Sequence, residues 1–277
     1  MLKMHVIGNN LMEKIIIFLK RIKALYLKYN FCFFKTIVAN FRLFPFWQAV
    51  HLPLVIYNPT QLLLSKSKIK LKCKPKFRLI KWGYNQDLFV PSKTQSLLMM
   101  INGTIIVNGP IRISPGAVFR IQGKIEFDKY IEVGGGCKFL INNKCFIGSK
   151  TRFAFGSIIC DTNYHYILEN GFVHSKNGNI FVGKSVWVGN SCSIVKGANI
   201  PDGAIVSNKS FVNKDFSNYT NILIAGIPAK IIKKNCTQIR SPKKEKELDI
   251  YFHKITNTKY YMTSEYQDDD DLSMYFI

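Results

Sequence analysis

Between Val182 and Phe216 one aliphatic side chain returns at every sixth position: Val182, Val188, Ile194, Ile200, Val206 and Val212. Four places after each stands Val186, Cys192, Ala198, Ala204, Ser210 or Phe216, and most of these are small. A helix repeats its apolar face every three or four residues and a half-buried strand every two, so neither produces this period. A period of six marks a parallel β-helix, in which each hexapeptide is one short flat face and the recurring aliphatic fills a narrow interior. Gly, Asn, Lys and Asp between the apolar positions suit corners, where φ is often positive.

The same step runs earlier in the chain, through Ile101, Val107, Ile113 and Phe119. It shifts frame to Ile121, Phe127 and Val133, and again to Ile141, Ile147, Phe153 and Ile159, as corners that gain residues would require. At roughly 18 residues per three-faced turn the coil should hold about six to eight turns. Gly134-Gly135-Gly136 has no helix pattern after it, so it reads as a wide corner rather than a phosphate loop. Ile159 and Val182 lie 23 steps apart, not a multiple of six, so the chain must leave the coil and return. That excursion, residues 160–181, is polar, rich in Asn and Gly, and carries His165 and His174. Loops that interrupt a regular scaffold are where function tends to sit.

The flanks read differently. Residues 11–29 place Leu11, Ile15, Phe18, Ile22 and Leu25 on one helical stripe with Lys14, Arg21 and Lys28 off it, an amphipathic helix for docking on the body, a subunit or a membrane surface. Residues 31–60 are aromatic and proline-rich and read as extended. From Lys66 to Arg78 basic residues alternate with mostly apolar ones, which predicts a strand whose charged face protects a sheet edge or binds an anion. Ser241-Pro242 predicts the N-cap and first residue of a short helix reaching Phe252. The expected plan is an N-terminal segment 1–65, a β-helix domain 66–234 and a C-terminal helix with an acidic tail, 235–277.

The formal net charge is +22, and residues 1–100 carry 17 Lys/Arg against 2 Asp/Glu. Such a field favours anionic partners without choosing among them. No nucleic-acid module is recognisable, so nucleic acid is not an expected partner. Seven cysteines without CxxC spacing suggest free thiols in a reducing compartment. No secretory signal or bilayer-length apolar helix is legible, and a cytoplasmic protein is expected, with peripheral contact at the inner membrane face left open.

Three features together resemble the left-handed parallel β-helix acyltransferases with hexapeptide repeats, a group that includes sugar and polysaccharide O-acetyltransferases. They are the repeat itself, the segment GNIFVGKSVWVGNSCSIVKGANIPDGAIV from Gly178 to Val206, and AGIPAKIIKK from Ala225 to Lys234, similar to the family's Gly-x-Pro-Ala-Lys ending. The resemblance covers about residues 100–235 and implies a homotrimer that transfers the acetyl group of acetyl-CoA to a saccharide acceptor, without a metal. His165 in Asp161-Thr162-Asn163-Tyr164-His165 matches the family's general base, although Tyr166 stands where proline is common. Imidazole suits the role because its ordinary pKa lies near working pH. Asp161 is the candidate partner that orients the ring, as an acid does in other acyl-transfer sites. CoA is expected in a groove along the outside of the coils, beside Trp187 and past Gly189, Ser207, Ala225 and Gly226, with Lys230, Lys233 and Lys234 meeting its phosphates.

Other readings stay open on the residues alone. N-acetylation of an amino sugar would use the same base, and a non-catalytic β-helix could bind glycan or membrane through its basic face. A metal-dependent enzyme on the same fold needs three convergent imidazoles, and the repeat offers only His165 and His174.

Overall fold

The computed structural model describes Glu13, Ile16, Ile17, Lys20, Lys23, residues 30–85, 90–91, 93–255 and 259–263, Leu272 and Phe276. Strands assemble into three mainly parallel sheets visited in rotation, the triangular β-helix that the period of six demands. The first face is nine-stranded and begins with Leu54–Ile56, Ile80–Trp82 and Ile111–Ile113. The second, seven-stranded, begins with Thr60–Ser65 and Ser96–Ile101. The third, six-stranded, begins with Lys68–Leu71 and Thr104–Val107. Apart from the last strand of the first face, neighbouring strands within each face pair in parallel, so like residues stack: Ile113, Val133, Phe153, Val188, Val206 and Ile224 form one inward column of the first face.

The register explains the frame shifts. Ile113, Val133 and Phe153 are partners at intervals of twenty residues, whereas Val188, Val206 and Ile224 are partners at intervals of eighteen. In the wide turns the second face sends three side chains inward, as in Cys137, Phe139 and Ile141, all buried. In the narrow turns it sends two, Cys192 and Ile194. The extra inward residue is what moves the hexapeptide frame at Ile121 and Ile141. The Gly134-Gly135-Gly136 stretch is a corner, and a side chain on Gly135 would collide with Val90.

Three expectations for the front of the chain are corrected. Residues 31–60 are not simply extended: helix α1 spans Phe33–Leu43 and α2 spans Phe46–Ala49. Thr36, Ala39, Asn40 and Leu43 recur at helical spacing and are buried, and Pro45 sits at the N-cap of α2, where its missing N–H costs nothing. The coil also begins before residue 66, with Leu54–Ile56, so the expected domain boundary falls inside the first turn. The Lys66–Arg78 alternation yields a strand only over Lys68–Leu71, the edge strand of the third face, before Pro75 and a turn break it. The apolar stripe assigned to residues 11–29 lies outside the described residues, while Glu13, Ile16, Ile17, Lys20 and Lys23 are helical and exposed.

Helix α1 closes the open end of the coil. An uncovered first strand would leave a row of unpaired main-chain groups. Here the Thr36 hydroxyl accepts from the Ile56 amide at 3.0 Å, the Asn40 side-chain oxygen accepts from the Leu54 amide at 3.1 Å, and the Asn40 side-chain nitrogen donates to the Leu54 carbonyl at 2.6 Å. At the other end Leu223–Gly226 is the last parallel strand, and Ala229–Lys233 turns back antiparallel on it. Helix α3, Pro242–Ile250, starts at a Ser241 hydroxyl that accepts from the Lys244 amide, and continues into a short π-helical turn, Tyr251–Ile255. Near the C-terminus Leu272 and Phe276 are buried with Tyr130, and the Arg112 guanidinium lies 4.3 Å from the Phe276 ring centre.

Candidate active site

The excursion leaves the second face after Ile158–Cys160 and rejoins the third at Ile180–Val182. Its neck is a short antiparallel ladder: Thr162 bridges Asn177, the Asn163 amide donates to the Lys176 carbonyl, and the Gly178 amide donates to the Asp161 carbonyl. Beyond the neck the chain forms a hairpin, Ile167–Glu169 against Phe172–His174. Asn170 and Gly171 both have positive φ, the backbone of the tight two-residue turn that Asn-Gly favours. That dipeptide was a legible hairpin signal that the hexapeptide register overshadowed.

His165 sits where the neck opens, exposed, with its amide donating to the Asn163 carbonyl at 2.7 Å. Tyr164, just before it, has φ +59, a left-handed conformation uncommon outside glycine and asparagine. Two contacts hold it there: its amide donates to the Thr162 hydroxyl at 3.0 Å, and the Arg120 guanidinium lies 5.4 Å from its ring centre. Burial raises the Tyr164 phenol above its ordinary pKa, while Arg120 opposes the shift. Arg120 and Tyr164 thus fix the turn that presents His165, and the sequence reading missed both. The only available signal was Arg120 itself, a cation in the outward column that continues with Leu140 and Cys160.

Asp161 does something other than expected. It is fully buried and follows Ile121 and Ile141 in the third inward position of the wide turns. One turn earlier, the Gln122 and Gly123 amides are both accepted by the Ile141 carbonyl of the coil above. At the last wide turn the chain departs into the excursion, and the Asp161 carboxylate instead accepts from Asn142 and Asn143, each at 2.7 Å. Burial pushes its carboxyl above the usual aspartate range, and these main-chain donors offset that only in part. Both oxygens thus cap a corner of the coil, and neither of these two contacts is to His165. His174 lies on the exposed hairpin, 3.2 Å from Glu169, as a surface residue would.

The residues expected to meet CoA fall into two groups. Trp187 points outward from the first face between Arg152 and Ile205, partly exposed. Gly189, Ser207 and Ala225 stack one above another at the corner between the first and second faces, following the Val188, Val206 and Ile224 register. Gly189 admits no side chain, since an added Cβ would lie 2.4 Å from the Asn208 side-chain oxygen and 2.8 Å from the Val206 carbonyl. Gly226, with φ +108, precedes the cis Ile227–Pro228 bond, and Lys230 pairs across the ladder with Ala225. Lys233 and Lys234 lie at the far end of that return strand, Lys233 paired with Leu223 and Lys234 over the Tyr219 ring. The structure therefore joins Trp187, Gly189, Ser207, Ala225, Gly226 and Lys230 into one strip. It places His165 on another edge, at the corner between the second and third faces.

No family model matches the chain. A chloramphenicol acetyltransferase of Klebsiella aerogenes is 39% identical over 116 residues, 36% of this chain and 53% of the relative. A putative lipopolysaccharide biosynthesis O-acetyl transferase of Escherichia coli (strain K12) is 28% identical over 123 residues, 41% of this chain and 62% of the relative. The chain spans about half the length of the chloramphenicol acetyltransferases it matches. Among solved structures, the polySia-specific acetyltransferase NeuO aligns with a TM-score of 0.45 and 20% identity, over 73% of this chain and 99% of that one. The curated relatives are thus named acetyltransferases, in line with the resemblance read from the repeat.

Proposed function

We propose that this chain is an acetyl-CoA-dependent O-acetyltransferase acting on a saccharide, with His165 as general base. The observation that carries this reading is an exposed imidazole, held by a braced neck and a strained turn, on a coil whose curated relatives are named acetyltransferases. In the reaction the acceptor hydroxyl gives its proton to the imidazole as its oxygen attacks the thioester carbonyl. The tetrahedral intermediate collapses, the C–S bond breaks, and the imidazolium returns the proton to the departing CoA thiolate. CoA lies along the Gly189, Ser207 and Ala225 column, where only small groups let the pantetheine arm approach the backbone, with Trp187 beside it and Lys230 toward its phosphates.

Because His165 and this column belong to different edges of one coil, the site is completed between copies, which supports a homotrimer. Thiol release from acetyl-CoA is measured across a panel of nucleotide sugars and oligosaccharides, for wild type and His165→Ala. Removing the base is expected to lower the rate on a productive acceptor by about 10²- to 10⁴-fold. Equal rates would overturn the assignment.

A further inference from the structure

The cap that closes the coil presents a second apolar surface on its outer side. While Thr36, Ala39, Asn40 and Leu43 of α1 face inward, Phe34, Val38 and Phe41 follow at helical spacing on the other side and are exposed, Phe34 at 82%. Helix α2 and its end extend the patch with Phe46, Trp47 and Val50, also exposed, and the Phe41 and Phe46 rings lie 5.9 Å apart. Six large apolar side chains in one exposed patch mark an interaction surface. Nothing in the acyl-transfer reading uses them.

Charge identifies the occupant. Lys66, Lys68, Lys70, Lys72, Lys74 and Lys76 are exposed on the neighbouring edge strand and the turn after it, and Arg42 is exposed at the end of α1. Residues 1–100 hold only 2 acidic side chains against 17 basic ones. Two such caps pressed together would oppose fields of the same sign, whereas an anionic surface would be drawn to them. At the patch edge a cavity of about 530 Å³ is lined by Arg42, Pro45, Gln48, Ser67, Lys68 and Lys70 among others. Exposed cations at the rim of an aromatic patch suit an anionic phosphodiester headgroup. No helix among the described residues is long and apolar enough to cross a bilayer, so the patch would lie in the interface.

We infer that the α1–α2 cap is a docking surface for an anionic phospholipid bilayer, with Phe34, Phe41, Phe46 and Trp47 entering the interface and Arg42, Lys68 and Lys70 meeting the headgroups. This binding is independent of acyl transfer and is read without an acyl donor. The test sediments the full chain with vesicles of phosphatidylcholine alone and with vesicles that also contain phosphatidylglycerol. Wild type should pellet with the anionic vesicles, and less so as salt rises. Phe34→Ser with Trp47→Ser should weaken that partition by about tenfold or more with an unchanged melting curve, since both side chains are exposed. Arg42→Gln with Lys68→Gln should weaken binding to the anionic vesicles and flatten its salt dependence. Failure to pellet with phosphatidylglycerol, or equal pelleting by the serine variant, would overturn the inference. So would a lipid-free assembly of wild type that the serine variant abolishes, since a second copy would then be the occupant.

Discussion

The turns below the excursion and those above it solve one packing problem at two widths. Below, from Ile111 to Phe153, a turn takes twenty residues and the core holds stacked phenylalanines, with the Phe119 and Phe139 rings 4.6 Å apart and the Phe139 and Phe153 rings 5.3 Å apart. Above, a turn takes eighteen, and the inner positions alternate an aliphatic with a small residue such as Cys192, Ala198 or Ala204. The change of width coincides with the excursion, where the extra inward position of the second face is last occupied, by Asp161. A wide core offers bulk for stability, and the narrow part carries the corner stack of small residues, Gly189 buried and Ser207 and Ala225 half-buried. The candidate cofactor strip lies on the narrow part.

The largest effect should come from emptying the wide core. Phe139→Ala is expected to cost about 3–5 kcal/mol in chemical denaturation, because its neighbours are rings that cannot collapse into the space. The opposite change probes the narrow turns: Ala204→Leu should cost about 1–3 kcal/mol by overpacking. If the two turns had the same width, leucine at residue 204 would be tolerated, and a melting curve like that of the wild type would break the comparison.

The seam between the two regions comes next. Asp161→Asn keeps one acceptor but turns an N–H toward a main-chain N–H, and should cost about 1–3 kcal/mol at neutral pH. The wild-type carboxyl also has a raised folded pKa. In the window just above the usual aspartate value the folded chain holds a proton that the unfolded chain has released. Stability should therefore fall as pH rises through that window. Unfolding midpoints across mildly acidic pH should show this slope in wild type and not in Asp161→Asn, and identical slopes would mean that Asp161 is not the seam.

The narrow turns were legible because each inner residue is six places from the next and nothing intervenes. The wide turns were legible only as shifts of frame, since an added inward residue changes the period without leaving a signature of its own. The capping contacts of Asp161 were hidden for a related reason: an acidic residue four places before a histidine looks like a catalytic partner. The cap arises because the chain has left the coil there and two amides need an acceptor, a fact of three dimensions. The helices of residues 33–49 were hidden because aromatic residues and Pro45 weaken a helical pattern, while Thr36 and Asn40 face inward to cap a strand edge rather than outward to water.

The smallest effect on the fold is expected at the excursion's tip. Leu168 and Phe172 are exposed on the hairpin, although both are residues a fold normally buries. Leu168→Ser with Phe172→Ser should shift the denaturation midpoint of the isolated chain by no more than about 0.5 kcal/mol. If the hairpin instead meets a second copy, as a site split between two edges of the coil requires, the same variant should lower both the assembly mass in sedimentation and the rate of thiol release. A variant that unfolds would place the hairpin inside the coil's own packing. One that assembles and reacts like wild type would leave His165 and the Gly189 column without the surface that brings them together.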